Sequence, residues 1–191
     1  MDFYQIELMP TDNPDFVFID NPPEGTSADA FQMAEGERMA ADYPRDARIY
    51  LTDESPGLVL PSLIGNTRSL LIVVKAIKEV LESAGGDVEY LPFTLYNHKK
   101  RVASRDYFIV NPIGTFDCID FKKSKIKYSK ASPNVILKIE KLVLDAKKLE
   151  KAPDFFRIDR QPSRYVVSDR LGKKIAALKP TNVFIHKLDQ A

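Results

Sequence analysis

Two histidines, one cysteine and 27 acidic side chains are the groups of this 191-residue chain with which an enzyme would do its chemistry. His98 lies in Asn97-His98-Lys99-Lys100-Arg101, a solvated basic loop, and His186 sits between Ile185 and Lys187 near the C-terminus. Each is expected to be a surface or structural histidine. Neither has the neighbouring acid and cysteine pattern of a metal site. Cys118 lies in Asp117-Cys118-Ile119-Asp120, and flanking acids raise a thiol's pKa, so a small buried hydrophobe is expected rather than a nucleophile. The eight glycines form no phosphate loop, and no Gly-x-Ser-x-Gly elbow occurs. Asp12, Asp15, Asp20, Glu24 and Asp29 lack the spacing of a calcium loop. No catalytic residue, cofactor site or metal site is expected. A carboxylate-using hydrolase stays open as an alternative, because paired carboxylates assemble from distant positions.

Lysines form a second constellation. His98-Lys99-Lys100-Arg101 and Lys122-Lys123-Ser124-Lys125-Ile126-Lys127 have Tyr107, Phe108, Phe121 and Tyr128 near them in sequence. Such a surface can touch phosphates, which keeps a weak nucleic-acid-binding module as a further alternative. Lysines that guard strand edges are the favoured reading, and a nucleic-acid partner is not the expectation.

The elements that would position these groups divide the chain in two. Residues 1–65 are acidic and punctuated by prolines, a segment or small subdomain of short strands at Phe3 to Leu8, Phe16 to Ile19 and Arg48 to Leu51. A short helix is expected near Ala28 to Met33, with Ser27 as its N-cap. Residues 66–191 form the second unit. Leu70, Val73, Val74, Ile77, Val80, Leu81 and Ala84 lie on one helical face, and Gly85-Gly86 ends that helix. Strands are expected at Val88 to Leu95, Tyr107 to Val110, Phe116 to Phe121, Lys125 to Tyr128, Phe155 to Ile158 and Tyr165 to Val167. Asn111-Pro112-Ile113-Gly114 suits either a turn or a bulge in a longer strand. Val135 to Leu144 fits helix and strand alike. Ser168 caps a helix carrying Leu171, Ile175 and Leu178, and a last strand follows Pro180. Helix, break and strand thus occur at 69–95 and again at 168–188. The expected class is α+β: a mainly antiparallel sheet with helices packed on one side, behind a proline-rich acidic N-terminal segment.

Charge is divided along the same line. Residues 1–60 carry 13 acids and 3 bases, and the rest carry 14 acids and 25 bases, so the net charge of +1 hides two opposed halves. An acidic surface steers a basic partner. The composition suits a cytoplasmic protein: no leader pattern is visible and the longest apolar run, Leu70 to Val74, is too short for a membrane span.

Several phrases occur in order: Val88-Glu89-Tyr90-Leu91-Pro92-Phe93, Tyr107-Phe108-Ile109-Val110-Asn111-Pro112, Asp117-Cys118-Ile119-Asp120, Ser124, Leu142-Val143-Leu144-Asp145, Phe156-Arg157-Ile158 and Val167-Ser168-Asp169-Arg170-Leu171. In this order, over about residues 66–188, the chain resembles a family of bacterial immunity proteins of polymorphic-toxin systems, formerly a domain of unknown function. The resemblance implies a non-catalytic protein that binds and neutralises a cognate toxin by occluding it. A basic toxin would meet the acidic N-terminal third. Asp12, Asp15, Asp20, Glu24, Asp29, Glu35 and Glu37 would supply charge there, and Phe16, Phe18 and Phe31 would supply anchors. An exposed strand edge also allows a homodimer.

Overall fold

The computed structural model describes residues 1–9, 13–26, 30–132 and 135–191. The N-terminal part supplies β1 (Phe3–Leu8), β2 (Phe18–Ile19), α1 (Ala30–Glu35), β3 (Arg48–Tyr50) and β4 (Leu63–Asn66). Then come β5 (Leu71–Val74), α2 (Lys75–Glu82), β6 (Val88–Tyr96) and β7 (Val102–Pro112). β8 (Lys125–Tyr128), β9 (Ile136–Lys141), β10 (Val143–Leu144) and α3 (Ala146–Leu149) follow. The chain ends with β11 (Phe155–Ile158), β12 (Gln161–Ser168), α4 (Asp169–Ala177), β13 (Val183–Lys187) and β14 (Asp189–Gln190). Ser27, the expected cap of the first helix, lies outside the described residues.

The α+β expectation is corrected. The chain is mostly strand, 40% against 15% helix, and its strands wrap into a nearly closed, barrel-like arrangement. A six-stranded sheet has the order β2-β4-β5-β7-β6-β3, and a four-stranded antiparallel sheet has the order β11-β12-β1-β13. The physical reason lies in two ambiguous segments. Leu70 to Val74 satisfies a helical spacing, but it is also an unbroken apolar run. β5 sits between β4 and β7, buried on both faces, which is where such runs belong. Only Lys75–Glu82 is helical there, and Gly85 and Gly86 end it with φ of 70° and 87°. Val135 to Leu144 resolves as strand.

Both sheets are covered on both faces. Side chains alternate across β7: Tyr107 and Ile109 face a core with Val17, Met33 and Ile49 from the N-terminal wrap. Val110 faces the opposite core, with Val167 of the four-stranded sheet. α2 packs on β5 and β7, α4 on β12 and β1, and the two helices on each other. Ile77, Leu81, Leu171 and Ile175 therefore join the two sheets. The outer face of the four-stranded sheet, with Phe3, Phe156 and Val166, is covered by Cys118, Ile119, Leu144 and Leu149.

The recurrence of helix, break and strand has a topological basis. β5 and β6, linked by α2, both pair antiparallel with β7. β12 and β13, linked by α4, both pair antiparallel with β1. Each unit is a split β-α-β motif. Each helix starts directly from its strand, at Val74 and Ser168, both in extended backbone.

Candidate functional site

The acidic wrap is held in place by a buried polar clamp. Arg157 on β11 is 1% exposed. Its five N–H groups are all placed. Nε donates to the Pro112 carbonyl (3.1 Å), Nη1 to those of Ala34 (3.0 Å) and Pro162 (2.6 Å), and Nη2 to that of Met33 (2.7 Å) and to Asn111 Oδ1 (3.1 Å). The guanidinium also lies 4.4 Å from the centre of the Tyr165 ring. No described carboxylate comes within 4.0 Å of it, so neutral dipoles and a π-face carry this cation. Burial pushes its pKa down from the ordinary arginine value, opposed by Tyr165.

Asn111 extends the clamp. Its Nδ2 donates to the Glu37 carbonyl (2.7 Å) and to Glu89 Oε2 (3.0 Å). Glu89 in turn accepts from the backbone N–H groups of Met39 (2.9 Å) and Ala40 (2.8 Å). Three buried side chains on β11, β7 and β6 thus pin the backbone of residues 33–40 at five points. Gly36 sits inside the clamp with φ +81°. A Cβ there would lie 3.0–3.2 Å from Gly114 O, Pro112 O and Arg157 Cδ. Sequence reasoning placed Glu89, Asn111 and Arg157 inside apolar strand phrases and missed the clamp. The available signal was a charged or amide residue interrupting each buried strand.

An open apolar groove of about 400 Å³ is lined by Leu8, Met9, Pro14, Phe16, Phe18 and Pro56. Gly65 forms part of its wall. A Cβ there would meet the Phe18 ring at 2.8 Å, so the ring packs directly on the backbone. Next to it, Leu58, Val59 and Leu60 are three successive exposed aliphatic residues, the first two 71% and 51% exposed. They are ordered: Asp15 O accepts from the N–H groups of Leu58 (2.9 Å) and Val59 (2.8 Å). Three adjacent exposed aliphatic side chains on hydrogen-bonded backbone leave apolar surface in water.

The structure separates the expected partner-binding residues. Asp15, Phe16, Phe18 and Asp20 come together at the groove. The Asp20 carboxylate accepts from the hydroxyls of Ser55 (2.9 Å) and Thr52. Asp53 and Glu54, absent from the sequence reading, are exposed beside them. Phe31 on α1 is 55% exposed, and Glu35 and Glu37 are exposed on the clamped segment. Glu24 is exposed next to β3, its N–H donating to Arg48 O (2.9 Å). Asp12 and Asp29 lie outside the described residues.

Elsewhere the chemistry is sparse. Cys118 is fully buried, and burial, then Asp117, pushes its thiol up to about 12. His186 Nδ1 lies 3.3 Å from Glu7, and His98 Nδ1 lies 3.8 Å from Asp53. Among the described residues no three His, Cys, Asp or Glu side chains cluster as metal ligands. The lysine-rich strands are β8 and β9, which pair as a hairpin. No helix among the described residues is long and apolar enough to cross a membrane.

Residues 11–188 match the Imm11 immunity protein family, and the chain belongs to it. The match takes in the acidic wrap as well as the strands of residues 66–188. No curated protein matches the chain. Membership makes this an immunity protein and implies a cognate toxin as its partner.

Proposed function

We propose that the protein neutralises its cognate toxin by covering it, without catalysis, and that the acidic wrap is the recognition face. One observation carries this reading: the exposed run Leu58-Val59-Leu60 beside a groove walled by Phe16 and Phe18, with acids around it. An apolar centre within a charged rim is the anatomy of a specific protein interface. Asp15, Glu24, Glu35, Glu37 and Glu54 are exposed, and no described cation lies within 4.0 Å of them, which leaves their charge available to a basic toxin surface. The clamp supports the same reading. It fixes Glu35 and Glu37 before binding, so less ordering is needed on association.

The hydrolase alternative needs carboxylates that converge with free lone pairs. Glu89 instead accepts from two backbone N–H groups and Asn111, and each Asp20 oxygen accepts from one hydroxyl. Both act as structural acceptors.

The test is the association of this protein with the toxin domain encoded beside its gene, followed by stopped flow at several salt concentrations. One variant carries Asp15→Lys, Asp53→Lys and Glu54→Lys. The other carries Glu24→Lys, Glu35→Lys and Glu37→Lys. At least one of them lowers the association rate by about tenfold or more and flattens its salt dependence. Unchanged rates and salt slopes in both remove the wrap as the recognition face.

A further inference from the structure

The β8–β9 hairpin lies outside the recognition face proposed above. Residues 121–141 hold seven lysines against one glutamate. The two strands pair with each other and with no other strand among the described residues. Lysines stand directly opposite one another, Lys125 across from Lys141 and Lys127 across from Lys138. Like charges in that position repel. Glu140 takes Lys127 (2.6 Å) and Asp189 takes Lys141 (3.0 Å), one from each pair. Lys125 and Lys138 keep no carboxylate within 4.0 Å among the described residues. Guarding a strand edge explains a few lysines. It does not explain Leu137, 67% exposed, or Val135, 51% exposed, on the same hairpin.

We infer that this hairpin docks on the acidic wrap of a second copy of the chain. The two surfaces match in both kinds of chemistry. The hairpin offers unpaired lysines with Val135 and Leu137 among them. The wrap offers the unpaired acids Asp15 and Glu54 with Leu58 and Val59 among them. The net charge of +1 leaves almost no overall repulsion to oppose the contact. The inference rests on the toxin-binding reading only in its consequence: a second copy and the toxin would compete for one face, so the self-associated form would be a reserve that the toxin dissociates.

Sedimentation velocity of the full chain, without toxin, tests this at low and high salt from micromolar to millimolar protein. The wild type shifts to masses of two chains or more as concentration rises at low salt, and salt reverses the shift. The hairpin variant (Lys125→Glu, Lys130→Glu, Lys138→Glu) and the wrap variant (Asp15→Lys, Asp53→Lys, Glu54→Lys) each associate at least about tenfold more weakly, as expected for several lost charge contacts. All six sites are exposed, and far-UV circular dichroism checks that both variants fold. Because the two reversals are complementary, the wrap variant's intact hairpin meets a reversed wrap only in its own kind. Mixed with the hairpin variant, whose wrap is intact, it associates again. A wild type that stays monomeric, association insensitive to salt or to the hairpin changes, or a mixture that fails to associate would each overturn the inference. None of these results bears on whether the toxin binds.

Discussion

Replacing Arg157 with methionine keeps most of the buried stem and removes all five donors. Each hydrogen bond to a charged group contributes about 1.5–3 kcal/mol. The five do not add, because the variant also escapes the cost of burying a cation. The carbonyls of Met33, Ala34, Pro112 and Pro162 and the amide oxygen of Asn111 lose their donor. A loss of about 3–5 kcal/mol is expected, from five acceptors left unpaired at about 1–3 kcal/mol each, offset by relief of the buried cation. At this chain length that lowers Tm by roughly 6–20 °C. Urea unfolding followed by circular dichroism gives the free energy, and amide exchange gives the location. The Met39 and Ala40 amides, held by Glu89, exchange faster in the variant because the clamp is one network. Arg157→Lys recovers less than half of the loss, since an ammonium has three donors and no planar fork. A loss below about 1 kcal/mol with unchanged exchange at Met39 and Ala40 refutes the clamp.

Four further outcomes follow from the same geometry. Gly36→Ala destabilises by about 1–2 kcal/mol from its positive φ alone, and by more once the added Cβ crowds Pro112 O, as urea unfolding would measure. Cys118 resists iodoacetamide at pH 8 in the folded protein and reacts only when urea unfolds it, because burial holds its pKa near 12. Between the ordinary thiol value of 9.0 and about 12 the unfolded chain ionises at Cys118 and the folded chain does not, so stability falls as pH rises through that window. Cys118→Ala makes the decline shallower, and urea midpoints at a series of alkaline pH values measure it. Gly65→Ala displaces the Phe18 ring from the groove wall and weakens toxin association with little change in Tm, as calorimetry and a thermal melt together show.

Local signals in the sequence were strong where chemistry is strong. Phe3 to Leu8, Val88 to Leu95 and Phe155 to Ile158 announce strands through apolar and β-branched content, and Gly85-Gly86 announces a helix end. Leu70 to Val74 misled because an unbroken run of five apolar residues satisfies a helical face and a central strand alike. The clamp was illegible because it joins Glu89, Asn111, Arg157 and the backbone of residues 33–40, which only the sheet order brings together. Arg157 stands out as a charge inside an apolar strand, but its partners do not: four of the five are backbone carbonyls, which every residue has. The groove was half legible. Phe16, Phe18, Asp15 and Asp20 are neighbours in sequence and in space, whereas Leu58 to Leu60 reach them through backbone bonds to Asp15 and Val17 that join distant parts of the chain. Charge asymmetry pointed to the wrap but not to which acids remain unpaired.

Titrating the toxin's own activity with this protein tests the central claim most directly. Neutralisation by occlusion predicts a linear loss of activity that ends at one chain per toxin, with full activity and unchanged mass in toxin recovered after the complex is dissociated in denaturant and refolded. Inactivation by a small fraction of an equivalent, or recovered toxin that carries a covalent change, would contradict it.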